Sequence, residues 1–427
     1  MPHTSQPQPS TGITHPVPAA APSRSGAAGW VAKGISNTLQ SQTMIANYFP
    51  VWVIAIMGGS DSLITLSNTV IMVLMIGLGP WLGAVSDLLP RRMPVLVVTS
   101  VASSALFALV AHDDLRLSLV VYSVANLCFQ CSLVIYDALL PAVSTEQNQG
   151  RVNGLAVGLE YLGSILAVVI GGLVLAGGGD YQAIFRIAGL ASLLLAIPCF
   201  VLVKEPVRAA APLAPLALAR GAITDVVATL AHANQLPVLT RFLVCRALYS
   251  MAAGAIGIFI AVYLTVELGY ESGEKDRLLL AGILGAVVGG LLRGRVVDAI
   301  GPRNALLAIL GVWSVALAAI AASGFGFLAA ATLWLSAPLA GFALGGTWAS
   351  DRPLMAALSP PSRLGEFFGL YGLAGRLALL AGPLIWTLIS QGLGLGRPAA
   401  LVVLLMLVLV AMALLRAIPA AIGRTAA

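Results

Sequence analysis

The chain has 427 residues, of which 59% are hydrophobic and 9% charged, and its formal net charge is +6. A soluble globular chain carries about 25% charged residues, so this composition excludes a soluble enzyme or binding module and leaves a polytopic membrane protein. The positive charge follows from the basic flanks of the apolar segments, and no nucleic-acid partner is expected.

The first thirty residues are rich in Pro, Ser, Thr, Gln and Ala and lack the apolar core of a secretory signal. Residues 1–34 are read as an aqueous, disordered tail. A spanning helix needs about 20 mostly apolar residues, because in hydrocarbon each backbone amide must be bonded within its own helix. Charged clusters and Gly/Pro punctuation then place helices at about 35–58, 62–87, 93–112, 116–143, 151–177 and 181–203. Residues 204–237, beginning KEPVRAAAPLAP, are the least apolar interior stretch and read as a central cytoplasmic linker. Six more helices follow at about 238–268, 273–299, 303–324, 326–358, 362–391 and 397–418, before a tail at 419–427. The expected architecture is all-α, twelve transmembrane helices in two six-helix bundles, 35–203 and 238–418.

With both termini inside, 16 Lys and Arg fall on the inner side and 5 on the outer side, the bias expected of cytoplasmic flanks. Arginine outnumbers lysine, which occurs only at 33, 204 and 275; that skew fits a GC-rich bacterial gene. The bacterial cytoplasmic membrane, or a compartment derived from it, is the expected location. The four cysteines, Cys128, Cys131, Cys199 and Cys245, all lie in apolar segments, and the Cys128/Cys131 spacing reads as packing and not as a metal site.

The segment GAVSDLLPRR at 83–92 recurs 211 positions later as GRVVDAIGPR at 294–303, with the same glycine-to-aspartate spacing. Gly83, Asp87, Arg91 and Arg92 in the first copy, and Gly294, Asp298 and Arg303 in the second, are candidate gating residues. A carboxylate at a helix end can meet arginines in the turn and a facing helix N-terminus, while the glycine admits a close neighbour. The alternative is a plain positive-inside anchor. Two parallel halves with this loop resemble the major facilitator superfamily, whose signature is roughly G-x-x-x-D-R-x-G-R-R. This chain departs from it at Leu88 and Pro90, and the second copy has Ala299 and Pro302.

Two longer stretches, YDALLPAVSTEQNQGRVNGLAVGLEYLGS at 136–164 and GEFFGLYGLAGRLALLAGP at 365–383, resemble the autophagy-related vacuole effluxer family and its bacterial relatives. That resemblance covers about residues 30–418 and implies solute export by a secondary transporter, with neutral amino acids as cargo. The family often begins its first helix with a Tyr-Asp-Trp-Ala-Asn-type run, where this chain has KGISNTLQSQ at 33–42.

Four ionisable residues inside spans stand out: Asp137, Glu160, Arg246 and Arg376. Each costs roughly 2.5–3.5 kcal/mol on insertion scales unless it faces a partner or a watery cavity. Two acids in one half and two bases in the other suggest pairing across a central cavity, with Arg376 as the substrate anchor near mid-depth and Glu160 as the proton carrier. A permanent interhelical salt bridge is the alternative for each. Asn126, Gln130, Tyr136, Tyr249 and Tyr371 are cavity lining or interhelical glue. The glycines of the fifth helix, Gly154, Gly158, Gly163, Gly171 and Gly172, serve close packing, and ELGYESGEKD at 267–276 reads as a solvated outer loop.

No G-x-x-x-x-G-K-[ST] phosphate loop is present, and no hydrolase or dehydrogenase signature. The expected protein is no enzyme and has no cofactor. It is a monomeric secondary transporter that exports a small polar solute, an amino acid being favoured, with proton coupling as an addition. The rivals are a carrier of metal ions or chelates in a specialised membrane and a non-transporting scaffold or assembly factor.

Overall fold

The computed structural model describes residues 23–145, 149–205, 207, 236–359 and 364–419. Within them the side chains of Asp87, of residues 293–298 and of several residues near 150 and 365 lie outside the described set. All regular structure among the described residues is helical, dominated by twelve long segments, of which eight are long and apolar enough to cross a membrane.

The first half comprises α1 (Arg24–Ser41), α2 (Asp61–Leu88), α3 (Met93–Ala108), α4 (Leu115–Ala138), α5 (Gln149–Ala176) and α6 (Tyr181–Leu202). Two π-turns, Gln42–Asn47 and Trp52–Ile56, extend α1 to the membrane edge around the short helix Tyr48–Val51. The second half comprises α7 (Pro237–Val262), α8 (Ser272–Ile300), α9 (Pro302–Gly324), α10 (Leu333–Leu358), α11 (Leu364–Thr387) and α12 (Gly396–Arg416). Large aliphatics stand open on the periphery, Leu173 at 70% and Leu291 at 73% of their surface, as a lipid-facing surface requires.

The helix expected from residue 35 starts instead at Arg24, inside the segment read as tail. Ser23 accepts from the Gly26 amide as its N-cap, and Trp30 stacks on Tyr136 at 4.6 Å while donating to the Tyr136 carbonyl at 3.1 Å. Small residues let this stretch lie against α6: a methyl group on Gly29 would meet the Pro198 backbone. Low apolarity hid a helix that is held by close contact.

The 211-residue repeat is visible in the backbone. The π-turn Trp52–Ile56 is matched by Tyr263–Glu267, and the left-handed glycines that follow are Gly58 at φ 67° and Gly269 at φ 70°. The closing bonds match as well, Met57 N to Trp52 O at 3.0 Å and Leu268 N to Tyr263 O at 3.1 Å.

Helix association in lipid relies on close packing more than on burial of apolar area. The closest pair is α8 with α10, where Gly285 and Gly289 lie on the backbone of Pro338 and Phe342, and Gly341 and Gly345 on that of Gly282 and Ala286. Gly345→Val is therefore expected to lower stability by roughly 1–3 kcal/mol. Gly290→Val, whose added atoms meet nothing within 4 Å at Cβ, should change it little; thermal unfolding in detergent compares the two.

Candidate functional site: a cavity between the two halves

A cavity of about 710 Å³ lies between the halves, within the range of small-molecule sites. Its two walls differ in chemistry. The first half contributes Asn37, Gln42, Asn47, Asn68, Gln130, Tyr136, Asp137 and Glu160 together with hydroxyl groups, whereas every lining residue of the second half is Ala, Gly, Ile, Leu or Trp313. Of the sequence candidates, Tyr136, Asp137 and Glu160 face this space. Glu160 is held against α1, since a methyl group on Gly34 would come within 2.6 Å of its Oε1 and 2.7 Å of the Tyr136 hydroxyl. That hydroxyl lies 3.4 Å from Glu160 Oε1.

Arg246 takes no part in the charge pairing expected across the cavity. Arg246 turns away from the cavity and into its own half, where its guanidinium pairs with the fully buried Asp351. Its Nε donates to the Tyr371 carbonyl at 3.1 Å, its plane lies 3.3 Å over the Tyr371 ring, and Tyr249 donates to Asp351 at 3.0 Å. Tyr371 and Arg246 thus belong to a buried cluster outside the cavity lining. Arg376 is exposed, does not line the cavity, and lies beside Gly79 of α2 at the seam between the halves. Arg352 and Arg376 both act electrostatically on Asp137.

The hydrogen bonds and ion pairs that join the halves among the described residues cluster at one end of the bundle. Asp61, fully buried at the start of α2, accepts from Arg397 at 2.9 and 3.1 Å and from Trp386 Nε1 at 2.9 Å. Arg397 reaches Glu267 at 3.4 Å as well, and Thr65 meets Thr387 at 2.5 Å beside it. On the opposite side of the same end, Asp276 of α8 accepts from the Tyr48 hydroxyl at 3.0 Å and pairs with Lys275 at 3.0 Å, with Lys275 4.5 Å over the Tyr48 ring. The segment 267–276 read as a solvated loop therefore ends in a buried Lys275 and Asp276 that close the seam.

At the other end, Arg92 donates to the Ala138 carbonyl at 2.6 Å while its amide meets Glu205 at 2.5 Å. Its counterpart Arg303 donates to the Leu415 and Arg416 carbonyls at 3.3 and 2.7 Å. Each arginine ties together helices of its own half. Arg91 is exposed, and a methyl group on Gly83 would meet nothing within 4 Å among the described residues, where a close neighbour was expected. The side chains of Asp87 and Asp298, and Gly294 beside the latter, lie outside the described residues.

Residues 48–427 match the family described as vacuole effluxer Atg22 like. The chain belongs to that family. It is 23% identical over 354 residues to the MFS-type transporter YxiO of Bacillus subtilis strain 168, covering 78% of this chain and 79% of that one. It is 22% identical over 352 residues to a protein of Aquifex aeolicus strain VF5, covering 82% and 85%. Among solved structures, the nucleoside transporter NupG superposes with a TM-score of 0.68 at 12% identity, over 92% of this chain and all of that one. A bacterial homologue of the iron transporter ferroportin, in its inward-facing state, superposes with a TM-score of 0.66 at 16% identity, over 92% and 98%. The fold is that of the major facilitator superfamily, and this family member is a multi-pass membrane transporter of that type and no enzyme.

Sequence reasoning missed Asp61, Asp351, Lys33 and the Lys275/Asp276 pair. Lys33 is 2% exposed and donates to Asn37 Oδ1. One signal was present for Asp61, a lone acid at the start of a long uncharged run. Asp351 falls inside the expected span 326–358, but its partner, 105 residues away, leaves no local signal.

Two outcomes are expected. Arg246→Met leaves Asp351 buried without its cation and should cost about 3–5 kcal/mol, much of it restored in the Arg246→Met, Asp351→Leu double variant, as unfolding in detergent would measure. Asp61→Asn should loosen the seam at its end of the bundle. A cysteine at Gln130, in a background without the four native cysteines, should then react about tenfold faster with an impermeant maleimide applied from that side.

Proposed function

We propose that this protein is a secondary active transporter that exports a small polar solute, an amino acid being the favoured cargo, by alternating exposure of the central cavity. The observation that supports this reading is the cavity itself: polar groups of one half face an apolar wall of the other, and the contacts that close it at one end are polar and can be broken. Covalent or metal chemistry is not needed for such work; a seam that opens at either end is enough.

The basic residues Arg91, Arg92 and Lys204 gather at the end opposite Asp61, and by the positive-inside bias we assign that end, with both termini, to the cytoplasm. The state described is then closed toward the outside, with Asp61–Arg397 and Asp276–Tyr48 as outer latches. In the alternate state the repeated loops take over: Asp87 and Asp298, with Arg92 and Arg303 behind them, close the cytoplasmic end. Arg376 and Arg352 hold Asp137 at that mouth. Glu160, in the cavity beside Tyr136, carries the coupling proton.

Purified protein in liposomes tests the reading through counterflow of labelled L-leucine. The wild type should show counterflow, Asp87→Asn should slow it with binding retained, and Glu160→Gln should lose the stimulation of uptake by a pH gradient. No flux of any proteinogenic amino acid would remove the cargo assignment, and flux unaffected by Asp87→Asn would remove the gate.

A further inference from the structure

We propose that the solute site is built on α1 by Lys33 and Asn37 and on α5 by Glu160, and that it takes an α-amino acid with an apolar side chain: Asn37 receives the carboxylate, Glu160 the ammonium, and the second half the side chain. This rests on the amino-acid reading above and adds the groups that bind.

Lys33 begins the chain of reasoning. It is buried to 2% exposure and donates to Asn37 Oδ1 one helical turn on, and no carboxylate pairs with it among the described residues. An ammonium so far from water without a counter-ion is costly, and an anion nearby would relieve that cost. Lysine can only donate, so it fixes the amide of Asn37 with its oxygen toward Lys33 and its nitrogen away. That nitrogen, Nδ2, is buried and has no acceptor among the described residues, although Asn37 itself lines the cavity and is 5% exposed. A donor polarised by the cation behind it, unmet and carried by a residue of the cavity wall, fits a carboxylate that reaches it after a small side-chain rotation.

The second half of the site is its opposite in charge. Glu160 lines the same cavity, forms no ion pair with a described Lys or Arg, and has the Tyr136 hydroxyl at 3.4 Å as its described hydrogen-bond partner. Its Oε1 lies against Gly34, three residues before Asn37 on the same helix. Donor and carboxylate therefore stand roughly one turn, about 5 Å, apart along α1. One small zwitterion can span that separation and satisfy both. The facing wall, from Ala253 to Leu401, offers no charged or amide group, so a second ionic group on the side chain would lie unpaired against aliphatics.

Full-length protein in detergent, titrated calorimetrically with L-leucine and with 3-methylbutylamine, its counterpart without the carboxylate, tests the site. Asn37→Asp places a carboxylate against Lys33, so the ligand-free melting temperature should hold or rise, while leucine affinity falls about tenfold or more. Amine affinity should not fall. Asn37→Ala should weaken leucine similarly, and Glu160→Gln should weaken both ligands. Leucine bound equally well by the wild type and both Asn37 variants, or the amine bound by the wild type as tightly as leucine, would overturn the site while leaving amino-acid transport standing. A wild type that binds no amino acid would overturn the cargo reading and the site together.

Discussion

An ionised side chain withdrawn from water must find an opposite charge or a set of donors, and in a bilayer the penalty for failing is larger than in a soluble core. Three answers to that demand organise this protein. Within the second half, Arg246 and Asp351 neutralise each other under Tyr371 and Tyr249. Across the seam, Asp61 is met by Arg397 and Trp386, and Asp276 by Tyr48 and Lys275. Lys33 and Glu160, by contrast, lack an ionic partner among the described residues; Glu160 lines the cavity, and Lys33 bonds Asn37, which does. A buried pair inside one half can be permanent, a pair across the seam must part when the seam opens, and a charge beside the cavity is the one left for a solute.

The two halves repeat a backbone and not a chemistry. Equivalent π-turns and equivalent left-handed glycines recur at an offset of 211 residues, and α2 and α8 play the same part on opposite sides of the closed end. Glu160, however, has Tyr371 as its counterpart, and Tyr371 is turned under Arg246. The duplicated scaffold gives the halves a common backbone, while divergence has placed the polar groups on one wall and an aliphatic surface on the other. A ligand held between unlike walls loses one of them whenever the halves separate, which is how such a cavity can release what it binds.

Much of this could be read along the chain. Apolar runs of membrane length, the Gly83/Asp87 and Gly294/Asp298 repeat and the distribution of arginine lead to twelve helices in two halves, because those signals are local and periodic. Tyr136, Asp137 and Glu160 were legible as interior polar groups for the same reason. The errors have one source. Residues 24–34 and 267–276 are poorer in apolar side chains, so they read as tail and loop; the structure packs the first through glycine contacts and buries Lys275 and Asp276 of the second by pairing. Polarity along the chain does not reveal whether a partner waits elsewhere in the fold.

By itself, then, the sequence determined the fold class, the duplication and part of the set of intramembrane charges, since each depends on hydropathy and spacing within one segment. The tertiary structure decided which charge meets which. Arg246 finds Asp351 across 105 residues, Asp61 finds Arg397 across 336, and Lys33 bonds Asn37 in the wall of a cavity made by two halves. Those outcomes depend on helix rotation and crossing in three dimensions, where a change of one residue in register turns a side chain by about 100° from cavity to lipid or into its own bundle.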